Sequence, residues 1–139
     1  MYVEDMVVKD ILELKYEASN IQHDATLQNM YEWYTWALNA GIIEVAYRYG
    51  ELLGFLEWVR LPHIPETRDS VIDEINYEDF SGPVLYIANC CIRDDKRHGT
   101  MWKLAHMAKE KNPDVEYFCW HNEDGTMKLY ETNKEGVAV

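Results

Sequence analysis

Apolar positions in the first forty residues recur at helical spacing. Val7, Ile11 and Leu14 share one face, Val8 and Leu12 lie beside them, and Lys9, Asp10 and Glu13 turn away, which predicts an amphipathic helix. The pattern breaks at Ser19-Asn20. It resumes with Leu27, Tyr31, Tyr34 and Leu38 at intervals of three or four, between Asp24 as N-cap and Gly41 as C-cap. The run Tyr31-Glu32-Trp33-Tyr34-Thr35-Trp36 is aromatic on more than one face. It reads first as a core stripe, with part of it free to line a groove.

After Gly41 the period shortens. Ile42 to Tyr49 and Leu52 to Leu61 read as two strands joined by a turn at Gly50-Glu51, an antiparallel hairpin that Pro62 and Pro65 terminate. Residues 63–83 form a long connection carrying Glu66, Asp69, Asp73, Glu74, Glu78 and Asp79, with a short helix expected around Ser70–Ile75. Val84 to Ile92 is nearly unbroken in apolar character, as a central strand covered on both faces would be. Thr100 to Lys111 predicts a helix that stops before Pro113, and Val115 to Trp120 the next strand. A strand, a helix and a strand in that order make a parallel unit. The tail from Gly125 to Val139 is expected to hold one short helix and little else.

The chain has 139 residues, 47% of them hydrophobic, which suits one domain with a sizeable core and excludes disorder or a disulfide-dependent mini-protein. Charge changes the picture more. Twenty-five acidic residues against 13 basic ones leave a net of −12, a field that repels phosphate backbones and anionic membranes and favours cationic partners. A nucleic-acid or membrane-surface binder is therefore not expected. No apolar run approaches the length of a membrane span, and the Met1-Tyr2-Val3-Glu4-Asp5 start lacks the basic and apolar regions of a secretory leader. Cys90, Cys91 and Cys119 are odd in number and two are adjacent, a poor disulfide framework. The expectation is a cytoplasmic protein with reduced thiols.

Chemistry concentrates in residues 89–104. Gly99 follows the apolar strand and precedes a helix, whose free N–H groups and dipole make an anion site. Residues 93–103 hold four basic side chains (Arg93, Lys96, Arg97, Lys103) and two acidic ones, leaving nine basic and 23 acidic residues elsewhere. An exposed turn collecting charges is the plain alternative. A Walker loop and a dinucleotide fingerprint are both absent. A metal site is not expected either. Cys90 and Cys91 point to opposite sheet faces, so at most three ligands converge with Cys119 and His121. Glu57 stands inside an apolar strand, which makes it the leading candidate for a general base unless it alternates out to water; His63 and His121 are weaker candidates.

This order of helices, hairpin, long loop, apolar strand, glycine turn, helix and strand resembles the GNAT (N-acetyltransferase) superfamily. Its acetyl-CoA turn, Gln/Arg-x-x-Gly-x-Gly/Ala, is similar to Lys96-Arg97-His98-Gly99-Thr100-Met101. Gly99 matches, Lys96 replaces the usual Gln or Arg, and Met101 replaces a small residue. A register moved by one places Arg97 near the arginine position. Gly54-Phe55 resembles the start of the family's second hairpin strand, Asn122 follows a strand as the family's asparagine does, and Leu129-Tyr130-Glu131 resembles the Leu-Tyr-Glu of its last helix.

The resemblance implies an α/β (α+β) fold: a mixed sheet with an N-terminal helical pair, an antiparallel hairpin and a parallel strand-helix-strand unit. It implies acetyl-CoA as co-substrate, held by the backbone of Cys90, Cys91 and Ile92, by Lys96 through Met101, and by Asn122. It implies transfer of an acetyl group to an amine, on a small molecule or a protein lysine, with Tyr130 as the proton donor to the leaving thiolate. The family adds one or two strands beyond the last one read here, where only Val137-Ala138-Val139 remains, so a partner copy in a homodimer is one way to close the sheet. Lys96, Met101 and that short end suit a second reading, a GNAT-like binding or structural protein without catalysis.

Overall fold

The computed structural model describes residues 3–19, 24–75, 81–93 and 97–132. Four helices and five strands follow one another along these residues: α1 (Val3–Ser19), α2 (Asp24–Ala40), β1 (Ile43–Arg48), β2 (Glu51–Leu61), α3 (Arg68–Glu74), β3 (Val84–Ile92), α4 (Arg97–Lys111), β4 (Tyr117–His121) and β5 (Met127–Glu131). The strands form one mixed sheet in the order β1-β2-β3-β4-β5, so the α/β (α+β) expectation holds. The chain divides into two compact units. One comprises Met1–Leu56 with Cys90–Leu104, the other Glu57–Asn89 with Ala105–Val139.

In the first unit, α1 and α2 bury Val8, Ile11, Leu14, Tyr34 and Ala37, as their helical spacing requires. Tyr34 meets Phe55 of β2 edge to face, with ring centroids 5.7 Å apart. Two tyrosine hydroxyls fasten the helices: Tyr31 donates to Asp5 (2.8 Å) and Tyr47 of β1 to Asp10 (2.7 Å). The Asp5 hydrogen bond raises the Tyr31 pKa; burial and then the Asp10 bond raise that of Tyr47 further.

Helix α2 ends as predicted. Gly41 adopts φ +80° and donates to Leu38 O, while Ile42 N donates to Ala37 O, the paired bonds of a Schellman motif. The hairpin turn lies one residue earlier than the sequence suggested. Tyr49 (φ 51°) and Gly50 (φ 79°) occupy it, and Glu51 already belongs to β2. Two successive positive φ values make a type I′ turn, whose twist matches that of the flanking strands.

The second unit is built on the central strand. Beta-3 pairs in parallel with β4 (Val84↔Tyr117, Leu85↔Phe118, Tyr86↔Cys119), and β4 pairs antiparallel with β5. The chain enters α3 through a capping box in which the Thr67 hydroxyl accepts from Ser70 N and the Ser70 hydroxyl from Thr67 N. Val71 of that helix joins Val59, Leu61, Val84, Tyr86 and Cys119 in a core on one sheet face.

The tail differs from expectation. Residues 127–131 are a strand rather than a helix, because a tight turn reverses the chain straight onto β4. Asp124 Oδ1 accepts from both the backbone and the hydroxyl of Thr126, and Gly125 takes φ +87°. Met127 to Glu131 then satisfies its backbone through the β4 ladder. Residues 133–139, including Val137-Ala138-Val139, lie outside the described residues.

Candidate functional site

Helix α4 begins at Arg97, three residues before the predicted start, so Gly99 sits inside its first turn. The first N–H groups of a helix have no partner within it, and the dipole adds positive potential there. The first turn holds no acidic residue, and a Cβ built on Gly99 would meet no atom within 4 Å. Thr100 is buried behind this turn. The Met101 side chain is directed at the strand: Cys90 Sγ donates to its Sδ at 3.5 Å. Methionine therefore fills space against β3 and leaves the space beside Gly99 open.

The basic island is only partly available to an anion. Arg93 Nε donates to Leu52 O (2.9 Å) and lies 3.2 Å from Glu51 Oε1, while its backbone N donates to Leu53 O. Arg93 thus fastens the end of β3 to the start of β2. Gly54 keeps these strands close, since a Cβ there would stand 3.0 Å from Cys91 O. Lys103 is exposed. Lys96 lies outside the described residues, and Arg97 and His98 contribute backbone to the first helical turn.

Pairing between β3 and β4 stops at Tyr86↔Cys119, although β3 runs on to Ile92 and β4 to His121. Burial changes at the same place. Val84 to Ile87 are buried, whereas Ala88 to Ile92, with Cys90 and Cys91 among them, are half-buried.

Glu57 does not alternate out to water. Every residue of β2 from Gly54 to Leu61 is buried, and Glu57 is 8% exposed. It shares its face with Val59 and Leu61 and hence with the cluster containing Tyr86 and Cys119. Tyr130 is half-buried on β5 opposite Phe118, the other face, where its ring lies 5.7 Å from Trp120 and 6.4 Å from Phe118. The two catalytic candidates therefore stand on opposite faces of one sheet. Asn122 closes the β4–β5 turn: its Oδ1 accepts from Trp120 Nε1 (3.2 Å) and its Nδ2 donates to Thr126 Oγ1 (3.0 Å).

His121, a weak candidate by sequence, is buried in a polar chain. Its Nδ1 lies 2.9 Å from the Tyr86 hydroxyl and its Nε2 3.3 Å from Glu66 O. A carbonyl only accepts, so Nε2 donates to Glu66 O. Burial raises the Tyr86 pKa. A hydroxyl amid the apolar Val84–Ile92 run was the one sequence signal for this pair. His63 is exposed.

Cys119 beside them is buried, which pushes its thiol up to about 12 and keeps it un-ionised. A thiol-disulfide reagent at neutral pH is expected to label Cys90 and Cys91 in the native protein and Cys119 only after unfolding. Native labelling of Cys119 at the rate of the other two contradicts this burial. Among the described residues, no group of three or more His, Cys, Asp or Glu side chains is placed to hold a metal ion. No helix among them is long and apolar enough to cross a membrane.

A mixed five-stranded sheet, a parallel β3-α4-β4 unit and a central strand that outruns its partner define a GNAT fold. Solved structures bear this out. The loading GNATL domain of CurA from Lyngbya majuscula matches with TM-score 0.59 and 14% identity over 88% of this chain and 63% of its own. The GphF GNAT-like decarboxylase in complex with isobutyryl-CoA matches with TM-score 0.59 and 13% identity over 86% and 64%. The ribosomal-protein-alanine N-acetyltransferase from Brucella melitensis matches with TM-score 0.56 and 17% identity over 88% and 72%. The chain thus spans less than two thirds of the length of the first two. No family model matches the sequence, and no curated protein does.

Proposed function

We propose that this chain is an acyl-CoA-dependent N-acyltransferase that moves an acetyl group to an amine. The observation that carries the reading is the open space at Gly99 in the first turn of α4, directly after the central strand. A CoA pyrophosphate fits such a place: peptide N–H groups and the helix dipole face it without an acidic side chain in the turn. The backbone of Arg97, His98, Gly99 and Thr100 would hold the phosphates, with Lys96 and Arg97 adding charge. The half-buried backbone from Cys90 to Ile92, past the last β4 pair, would hold the pantetheine arm. When bound, the co-substrate supplies an activated thioester.

The amine must be deprotonated before it attacks, and the leaving thiolate needs a proton. Glu57, through water, is the candidate for the first role and Tyr130 for the second. They stand on opposite faces of the sheet, and one thioester is reached from one face, so only one of them can serve it. A second reading, a GNAT-like binding protein without catalysis, is favoured by one observation. The Leu129-Tyr130-Glu131 motif lies in a strand, not on the helix where the family places it.

Calorimetry with acetyl-CoA tests the proposal. Binding is expected, and Gly99→Trp, whose side chain enters open space without disturbing the core, should abolish it. No heat at millimolar acetyl-CoA sinks the enzyme reading. Where binding is present, only one of Glu57→Gln and Tyr130→Phe should lower kcat, by about a hundredfold with KM little changed. Unchanged turnover in Tyr130→Phe removes Tyr130 as the acid.

A further inference from the structure

Two sulfurs meet between β3 and α4. Cys90 Sγ of the strand donates to Met101 Sδ of the helix at 3.5 Å. Both side chains are half-buried, shielded from bulk water yet within reach of a small solute. Cys91, the next residue of the strand, points to the other face. The sequence argued against a metal shared with Cys119 and His121, and the structure gives Cys90 a different sulfur.

We propose that Cys90 and Met101 form a two-sulfur site for a soft monovalent cation, copper(I) or silver(I). The proposal goes beyond the acyltransferase reading and does not depend on it. Thiolate and thioether are soft donors, and such ligands select copper(I) over harder divalent ions. The cation takes the place of the thiol proton. Cys90 Sγ loses H+ to solvent, and the ion binds the thiolate and a lone pair of Met101 Sδ. One anionic ligand cancels one positive charge, so a neutral unit occupies a half-buried place. A divalent ion would keep a net charge there. Zinc also prefers four ligands, and among the described residues no group of three or more His, Cys, Asp or Glu side chains is placed to hold it. Metal–sulfur bonds of about 2.3 Å put two ligands in line about 4.6 Å apart. The sulfurs must open by about 1 Å from their 3.5 Å contact, which methionine's three rotatable bonds allow.

Silver nitrate titrated calorimetrically into the full chain in chloride-free buffer provides the test. Silver(I) shares the charge and softness of copper(I) without its redox chemistry. One tight site per chain is expected, with a proton released as the ion binds. Met101→Leu, a swap of similar volume, should weaken that site at least about tenfold, since even the outer partners of metal ligands matter that much. Cys91→Ser should leave it unchanged, and in that variant one equivalent of silver should block alkylation of Cys90 by iodoacetamide. Equal affinity in wild type and Met101→Leu reduces the site to a bare thiol and overturns the proposal. Alkylation of Cys90 at an undiminished rate with silver present overturns it as well, as does zinc(II) binding at this pair as tightly as silver(I). Cys90→Ser should abolish the tight site. Where that variant fails to fold, the comparison of wild type with Met101→Leu decides the matter.

Discussion

Gly82→Ala is expected to cost the protein about 3–5 kcal/mol, the upper range for a single substitution. A Cβ at Gly82 would stand 2.3 Å from Leu61 O and 2.6 Å from Leu61 C, both backbone atoms at the end of β2. Backbone inside a sheet cannot swing aside as a side-chain tip can, so β2 and the entry to β3 must separate. The Gly82 carbonyl also accepts from Arg60 Nε, and that bond is lost with the displacement. Denaturant unfolding followed by circular dichroism measures the effect. Gly99→Ala is the control. Its Cβ meets nothing, and alanine in a helix is favoured over glycine by about 0.5–1 kcal/mol, so that variant should be as stable as wild type or more so. A Gly82→Ala protein with an unchanged midpoint contradicts the close approach.

Arg60→Met should cost about 2–4 kcal/mol. Arg60 is 5% exposed, and its guanidinium holds three partners in the second unit. Nε donates to Gly82 O (2.5 Å), Nη1 to Asn112 Oδ1 (3.0 Å), and Nη1 with Nη2 to both carboxylate oxygens of Asp114 (3.1 and 2.9 Å). Methionine retains much of the buried stem but leaves the Gly82 and Asn112 oxygens without this donor. Asn112, itself buried, also donates to Ala108 O and so ties the end of α4 into the same group. Because Gly82 and Arg60 share a bond, the double variant should lose less than the sum of the single losses.

The same contact gives an acid dependence. The Arg60 hydrogen bond holds the Asp114 carboxyl below its ordinary value. A lowered folded-state pKa contributes stability above the unfolded value, which is lost as pH falls through the folded one. Wild type should therefore weaken below about pH 4. Arg60→Met should weaken less steeply, retaining the part from Asp124, whose pKa the Thr126 hydroxyl lowers. Parallel acid profiles for the two proteins remove the Arg60–Asp114 coupling.

Much of the fold was legible because local chemistry and tertiary need coincide. Gly41 ends α2, the apolar run Val84–Ile92 is β3 over that same range, and Pro62 follows the last residue of β2. Where several local states are compatible with a segment, the sequence was silent or misleading. Met127-Lys128-Leu129-Tyr130-Glu131 suits a helix or a strand by composition, and only the ladder with β4 decides it. The hairpin turn shifted by one residue because Tyr49 accepts a positive φ, which composition alone assigns to glycine.

The candidate site divides along the same line. The glycine at the start of α4 follows from short-range pattern, since a helix N-terminus carries its free N–H groups wherever it is placed. The half-buried end of β3 does not, because its apolar run predicted cover on both faces. The sequence thus determined the element order through β4 and the glycine-containing turn that opens α4. Tertiary structure alone decided that Glu57 and Arg60 are buried, that His121 meets Tyr86, and that Glu57 and Tyr130 lie on opposite faces. Strand alternation fixes which residues share a face but not whether that face meets water. Burial depends on what the chain elsewhere lays over the sheet.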